Sequence, residues 1–278
     1  MPFFHPVANV QQFLNILERI APASLAAGWD NVGLLVGSPQ SRVSAVLVAL
    51  DSTQTLLAEA QALAAELIIT HHPAIFQPVH RLRTDQPGGA FLAAALRAGI
   101  SVIGCHTNFD AACGGVNDSL AEALGLVDAV PLTADKADAS CGMGRIGTLP
   151  EPLAAEDFLA RLRAAVPLPW LLEAGPRPAA VVKAAVCGGS GSELAETALA
   201  AGADVLLTAE VKHHAARWAE EAGLWLLDGG HFATENPSMR CLQQHLAERA
   251  RQAGLDVRIH CADQRPPLKL VPQDFFRA

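Results

Sequence analysis

The stretch Leu67-Ile68-Ile69-Thr70-His71-His72-Pro73 ends an apolar run on two adjacent imidazoles and a proline. Its four apolar or β-branched residues in a row read as a strand buried on both faces, and Pro73 stops regular pairing. Two later runs end in the same manner. Ile100-Ser101-Val102-Ile103-Gly104-Cys105 leads into His106-Thr107-Asn108-Phe109-Asp110, and Leu224-Trp225-Leu226-Leu227-Asp228 leads into Gly229-Gly230-His231-Phe232-Ala233-Thr234-Glu235. Both clusters read His-x3-acid directly after a buried-strand pattern. In an open α/β sheet, sites collect outside the carboxyl ends of the strands, so these segments are expected to converge on one crevice. Imidazoles mixed with carboxylates there point to a divalent metal.

Outward from these segments, the pattern alternates. A helical stripe (Val10, Phe13, Leu14, Leu17, Ile20) precedes a strand over Val43 to Leu50, a helix over Thr55 to Ala65, the strand Leu67 to Thr70, a helix over Ala90 to Ala98 and the strand Ile100 to Gly104. The second half repeats the plan. It has strands at Val181 to Cys187, Asp204 to Thr208 and Leu224 to Leu227, with helices at Glu193 to Ala201 and His213 to Ala222. Leu67-Ile68-Ile69-Thr70 matches Val205-Leu206-Leu207-Thr208, and the His-x3-acid clusters correspond. The expected architecture is therefore α/β, internally duplicated, with one lobe over residues 1–130 and a second over 131–278. The site is expected at the strand C-terminal ends between them. Pro131 to Pro178, rich in Ala and Pro, reads as a connector with one helix near Glu156 to Ala165, and an amphipathic helix is expected over Pro237 to Ala253, followed by a short strand.

Composition narrows the class. Half of the 278 residues are apolar, enough for a substantial core, while tyrosine is absent and Ala, Leu and Val must supply the packing. A net charge of −8 argues against a broad nucleic-acid-binding surface. Six cysteines without a C-x-x-C pair read as reduced thiols. Met1 to Pro6 has no basic segment leading into an apolar one, and no apolar stretch reaches the roughly 18 residues of a membrane span, so a cytoplasmic protein is expected.

Adjacent side chains in a strand diverge, so His71 and His72 could each serve a different ion of a pair about 3.5–4 Å apart. Asp110 could bridge them, and His231 and Glu235 could complete one ligand set each. His106 could be a ligand, or could hold Asp110 or the substrate. Of His213 and His214 at a helix start, His214 is the one expected to face the crevice, the alternative being a solvent-exposed helical histidine. Cys187-Gly188-Gly189-Ser190-Gly191, between a strand and a helix, could hold an anion on the backbone amides of Gly189, Ser190 and Gly191, or could be a tight turn. It fits no dinucleotide or Walker pattern. Gly114-Gly115-Val116-Asn117-Asp118 reads as a turn with a capping Asn or Asp. Asp30 and Asn31, in Trp29-Asp30-Asn31-Val32-Gly33-Leu34, could orient a metal ligand or build an Asx turn.

In their order along the chain, Trp29 to Leu34, Ile69 to Pro73, His106 to Asp110, Gly114 to Asp118, Cys187 to Gly191 and Gly230 to Glu235 resemble the motifs of the Nif-three-like (NGG-interacting-factor-3-like) family, whose members are named GTP cyclohydrolase 1 type 2 homologues. The resemblance runs from about Val10 to Ala262. It implies a three-layer α/β fold and a dinuclear metal centre facing the cavity of a ring-shaped homohexamer. By motif, the family's five ligands fall on His71, His72, Asp110, His231 and Glu235. Some relatives insert an extra domain in the connector, and this chain is too short there to carry one. A departure stands at Thr208-Ala209-Glu210, where relatives more often show Thr-Gly-Asp, which puts a role for that loop in doubt.

The expected function is a hydrolase using two divalent ions (zinc, iron, manganese or cobalt) on a small, phosphorylated or nucleotide-like substrate. His106 and His214 would relay protons, and no nucleic acid or membrane partner is expected. The alternative is a non-catalytic metal-binding ring protein with an assembly, regulatory or metal-handling role.

Overall fold

Asn9 starts the first helix by a reciprocal cap: its side chain accepts from the Gln12 amide while the Gln12 side chain accepts from the Asn9 amide, each at 3.0 Å. The helix buries Val10, Phe13, Ile16, Leu17 and Ile20. Ile16 thus takes the place expected for Leu14, which is only half-buried. A computed structural model describes residues 8–271, so the segment Met1 to Pro6 read for a targeting signal lies outside the described residues.

The chain divides into two units. The first runs to Gly115 and resumes over Ser238–Gln264; the second takes Val116–Pro237 and the chain from Arg265. The first unit contains β1 (Ala8–Asn9), α1 (Val10–Ile20), β2 (Gly33–Val36), β3 (Arg42–Val43), β4 (Ala45–Ala49), α2 (Gln54–Ala62), β5 (Leu67–Thr70), α3 (Pro87–Arg97), β6 (Ser101–Gly104) and α4 (Thr107–Ala111). The second contains α5 (Val116–Leu124), β7 (Val127–Ala134), β8 (Gly142–Leu153), α6 (Ala155–Ala165), β9 (Leu172–Ala174), β10 (Val181–Ser190), α7 (Ala195–Ala200), β11 (Val205–Ala209), α8 (His213–Ala222), β12 (Trp225–Asp228) and α9 (His231–Glu235). The chain then supplies α10 (Ser238–Gln252) and β13 (Arg258–Cys261) to the first unit.

The first unit's main sheet has the order β13-β4-β5-β6-β2, all parallel except the edge strand β2. Leu67, Ile68 and Ile69 are fully buried, and each contributes roughly 1.5–3 kcal/mol of hydrophobic stabilisation, which anchors the two histidines after them. Register decides what gathers at the sheet's end. Ala49 pairs with Thr70 and Thr70 with Gly104, so Asp51, His71, His72 and His106 leave the sheet along one edge.

The second unit's sheet runs β7-β8-β10-β11-β12-β9, and its parallel core β10-β11-β12 repeats the β4-β5-β6 plan. Each set of three parallel strands adjoins an antiparallel edge strand, β2 or β9, and is followed by a five-residue helix, α4 or α9, that carries the His-x3-acid cluster. The duplication read from the sequence is thus present in the topology.

Two boundaries differ from the sequence reading. The residues read as a connector hold β8, a twelve-residue strand paired antiparallel with both β7 and β10. Its glycines and prolines disguise it: a Cβ at Gly142 (φ +143°) would collide with the Thr133 carbonyl of β7, so glycine there serves close strand approach. Arg145, 1% exposed, secures this region by pairing with Asp118 and donating to the Gly142 and Gly144 carbonyls. The second difference concerns the cut at 130/131. The structure places α10 and β13 with the first unit, because β13 pairs in parallel register with β4. No helix among the described residues is long and apolar enough to cross a membrane.

Candidate metal centre

In the first unit, β5 does not release its chain at Thr70. The His71 amide donates to the Ala49 carbonyl (3.0 Å) and the His72 amide to the Leu50 carbonyl (2.9 Å). The Thr70 hydroxyl donates to the His72 carbonyl at 2.8 Å, which sets the bend before Pro73. The two rings lie with centroids 5.1 Å apart, and the His106 ring stands 5.1 Å from His71 and 5.6 Å from His72. One nitrogen from each of these three histidines lies within 4.8 Å of the others.

The ring tautomers are set by the partners. His71 Nδ1 is 3.0 Å from the Cys105 carbonyl, His72 Nδ1 is 2.8 Å from Asp51 Oδ1, and His106 Nδ1 is 2.9 Å from Asp30 Oδ1. Carbonyl and carboxylate oxygens only accept, so each Nδ1 carries the proton and each Nε2 keeps its electron pair. This is the arrangement that orients metal-bound histidines. His71 Nε2 faces Asp110 Oδ1 at 3.5 Å, and both residues are buried. Both belong to a group whose ligand atoms could hold a metal ion.

Asp30 accepts from the Asn31 amide (2.8 Å), holds His106, and receives the Thr107 amide (3.0 Å) and hydroxyl (2.5 Å). Burial acts to raise its pKa, but the hydrogen bonds from His106 and Thr107 prevail and hold the carboxyl below its ordinary value. His106 is lowered, first by burial and then by the neighbouring His71, against the pull of Asp30. It is therefore neutral at pH 7. Burial pushes the Cys105 thiol up to about 12, and among the described residues the groups that could hold an ion consist of histidines and carboxylates.

In the second unit, α9 sets His231 and Glu235 one helical turn apart, with His231 Nε2 3.0 Å from Glu235 Oε2. His231 Nδ1 lies 3.0 Å from Glu210 Oε1. The loop whose role was in doubt thus supplies the carboxylate that fixes this ring, from a residue held at φ +54°. Asp228 ties the two loops together, accepting from the Val211 amide at 2.9 Å and the Gly230 amide at 3.0 Å. Glu210→Ala is expected to weaken metal retention roughly 10–100-fold, the usual consequence of removing such a partner, while leaving the melting temperature almost unchanged because the side chain is exposed. Competition of purified protein with a chelator reads the first and calorimetry the second.

Of the three amides expected to hold an anion, those of Gly189, Ser190 and Gly191, the Gly189 amide is engaged within the fold. The Gly188 amide donates to Asn117 Oδ1 (2.9 Å) and the Gly189 amide to Thr234 Oγ1 (3.0 Å), so these donors are already engaged. Gly189 has φ +65°, and a Cβ there would collide with Glu235 Oε1. Glycine is needed so that the Glu235 carboxylate can approach. Beyond Gly191 the chain makes only a three-residue turn of 3-10 helix, Ser192–Leu194, and the six-residue α7. Asn117, read as a cap, is instead buried within α5 as the partner of Gly188. His214 is exposed at the start of α8, where it lines a cavity of about 400 Å³ with Ser192, Glu193, Glu196, Lys212 and Trp218, and neither His231 nor Glu235 lines it.

Asp51 and Asp228 were missed from the sequence. Both are acids directly after buried runs, the signal that singled out the histidines. Nitrogen and carboxylate donors of this kind suit zinc, iron, manganese or cobalt.

Known proteins resemble this chain over most of its length. The family model Duf34/NIF3 (NGG1p interacting factor 3) matches residues 8–267. A Streptomyces coelicolor protein called GTP cyclohydrolase 1 type 2 homolog is 36% identical over 257 residues, covering 91% of this chain and 90% of that protein. A Clostridium perfringens protein of the same name is 32% identical over 241 residues, with 87% and 92% covered. Among solved structures, a Bacillus cereus protein related to NIF3 superposes with a TM-score of 0.91 at 25% identity, covering 96% of this chain and all (100%) of that one.

Proposed function

The chain belongs to the Duf34/NIF3 (NGG1p interacting factor 3) family, and from that premise we propose a dinuclear-metal-dependent hydrolase of a small, phosphorylated or nucleotide-like substrate, similar to GTP cyclohydrolase 1 type 2. His71, His72, Asp110, His231 and Glu235 would hold the two ions. The observation that carries this reading is the common setting of three imidazoles: His71, His72 and His106 each have Nδ1 against an acceptor oxygen, which leaves Nε2 as the nitrogen able to meet an ion or a proton.

Divalent ions held there would supply Lewis acidity and lower the pKa of water toward neutrality. The chain's own residues do the rest. His106, neutral and with its Nδ1 proton on Asp30, takes a proton at Nε2, and the Asp30 carboxylate stabilises the imidazolium that forms. His214, exposed on α8, is left outside this relay.

The test is turnover of GTP and of simple phosphoesters by metal-loaded protein. His106→Ala should lower kcat roughly 100- to 10,000-fold with both metal equivalents retained. Absence of turnover by the wild-type protein across nucleotides, phosphoesters and cyclic amides would favour the metal-binding assembly role. We extend the proposal to a homohexamer, supported by exposed apolar side chains such as Val130 and Leu172 (55% and 61% exposed). Light scattering at micromolar protein reads the mass.

A further inference from the structure

Trp29 is 63% exposed and Phe76 48% exposed, yet neither is loosely held. The tripeptide Trp29-Asp30-Asn31 fastens three things at once. Asp30 holds His106 Nδ1 at 2.9 Å, Asn31 Nδ2 donates to the Ile75 carbonyl at 2.5 Å, and Trp29 packs against the Phe76 ring with centroids 5.8 Å apart. Both aromatic rings also meet His106, at 6.0 Å for Trp29 and 6.3 Å for Phe76. The interplanar angles of the three contacts are 61°, 70° and 73°, so the rings touch edge to face and brace one another. The backbone beside each aromatic residue is thus pinned, next to the bond that fixes the imidazole of the candidate site.

Two large apolar rings left in water beside a polar cluster lose the hydrophobic stabilisation that burial would give them. A rigid aromatic face next to an imidazole fits an occupant with a π face of its own. Val79 and Leu82, further along the loop, are exposed as well, but they bring no ring to His106, whereas Trp29 and Phe76 do.

We propose that Trp29, backed by Phe76, is the platform on which a planar heteroaromatic ring of the substrate stacks, placing the rest of that molecule at His106 and the histidines beside it. This deepens the hydrolase reading and rests on it, and it makes the substrate class one with an aromatic heterocycle joined to an anionic group. Stacking of this kind tolerates any base, because every base has a π face. Trp29 is therefore a specificity-determining residue for ring against no ring, and guanine against adenine is not decided by it.

The experiment measures Kd by calorimetry on the metal-loaded full-length protein for GMP, AMP and ribose 5-phosphate, the last being the same phosphosugar without its ring. GMP and AMP should each bind about 10-fold or more tighter than ribose 5-phosphate. Trp29→Ala should bring both nucleotides to the ribose 5-phosphate value, Trp29→Phe should keep most of the difference, and metal content should be unchanged in both variants. Equal Kd values for the three probes, no binding of any at millimolar concentration, or a ring preference that survives Trp29→Ala would each overturn the proposal. A drop in solution mass in Trp29→Ala with the ring preference intact would overturn it too, by assigning the ring to a contact between copies of the chain. Failure of the hydrolase reading shows separately, as wild-type protein that retains no metal.

Discussion

Asp110→Ala protein is expected to retain neither metal equivalent, whereas His71→Ala or Glu235→Ala protein loses mainly one. In the proposed centre Asp110 would serve both ions and each of the others one, so its loss would weaken both sites. The local structure makes the substitution informative. Asp110 is buried on α4 with its amide on the His106 carbonyl at 3.0 Å, and its Oδ1 faces His71 Nε2 at 3.5 Å. The other carboxylates of the first unit's cluster are committed elsewhere, Asp30 to His106 and Asp51 to His72. Neither can replace it without releasing a histidine. Elemental analysis after gel filtration decides the matter, and an Asp110→Ala protein that still carries two equivalents would remove the bridging role. Asp110→Asn separates charge from shape: the oxygen remains, and retention should fall between wild type and Asp110→Ala.

A fragment ending at Val130 is expected not to fold as a cooperative unit. The reason lies in Ser238–Gln264. β13 pairs with β4 from Arg258↔Ala45 to Cys261↔Val48, and α10 packs against both α1 and β13. Gln264 then closes the end of β4: its Oε1 accepts the Leu50 amide at 2.8 Å and the Asp51 amide at 3.0 Å, and its Nε2 donates to the Asp51 carbonyl at 2.8 Å. Without this return, β4 becomes an unprotected edge, apolar side chains of α1 lose their cover, and the residue holding His72 is set loose. The fragment also cuts through β7, whose ladder partner β8 would be missing. Thermal unfolding followed by circular dichroism should show no cooperative transition. A soluble, monomeric fragment with a sharp melt would refute the account. Gln264→Ala in the full chain is the graded version, costing about 1–3 kcal/mol from the backbone donors it leaves without a side-chain acceptor, and a denaturant titration measures it.

Much of this protein was legible one segment at a time. The runs ending at Thr70, Gly104 and Thr208 are strands within a residue or two of the reading, and α1 and α8 span the residues expected. A strand buried on both faces or a helix with one apolar stripe is a property of consecutive side chains and needs no knowledge of partners. The candidate ligands were visible for the same reason. His-x3-acid is one helical turn, and α4 and α9 are short helices that place each acid beneath its histidine's position. The family resemblance, carried by the same short motifs, is matched by the family model over residues 8–267.

What tertiary structure alone decided is which distant residues meet these local features. Asp51 and Glu210 each hold a histidine 21 positions away, and Asp30 holds one 76 positions away. Strand register brings the first unit's residues there, through Ala49 against Thr70 and Thr70 against Gly104. β8 was hidden because its glycines lower strand propensity while answering a need, room beside β7, that exists only once β7 is in place. The same holds for Gly189, whose purpose appears only when Glu235 approaches it from α9. Return of α10 and β13 to the first unit has no local signature, because pairing β13 with β4 depends on the sheet edge that the earlier strands leave open. Side-chain periodicity is written in neighbouring residues, whereas a partner across the fold is chosen by strand order and register, which only the assembled chain possesses.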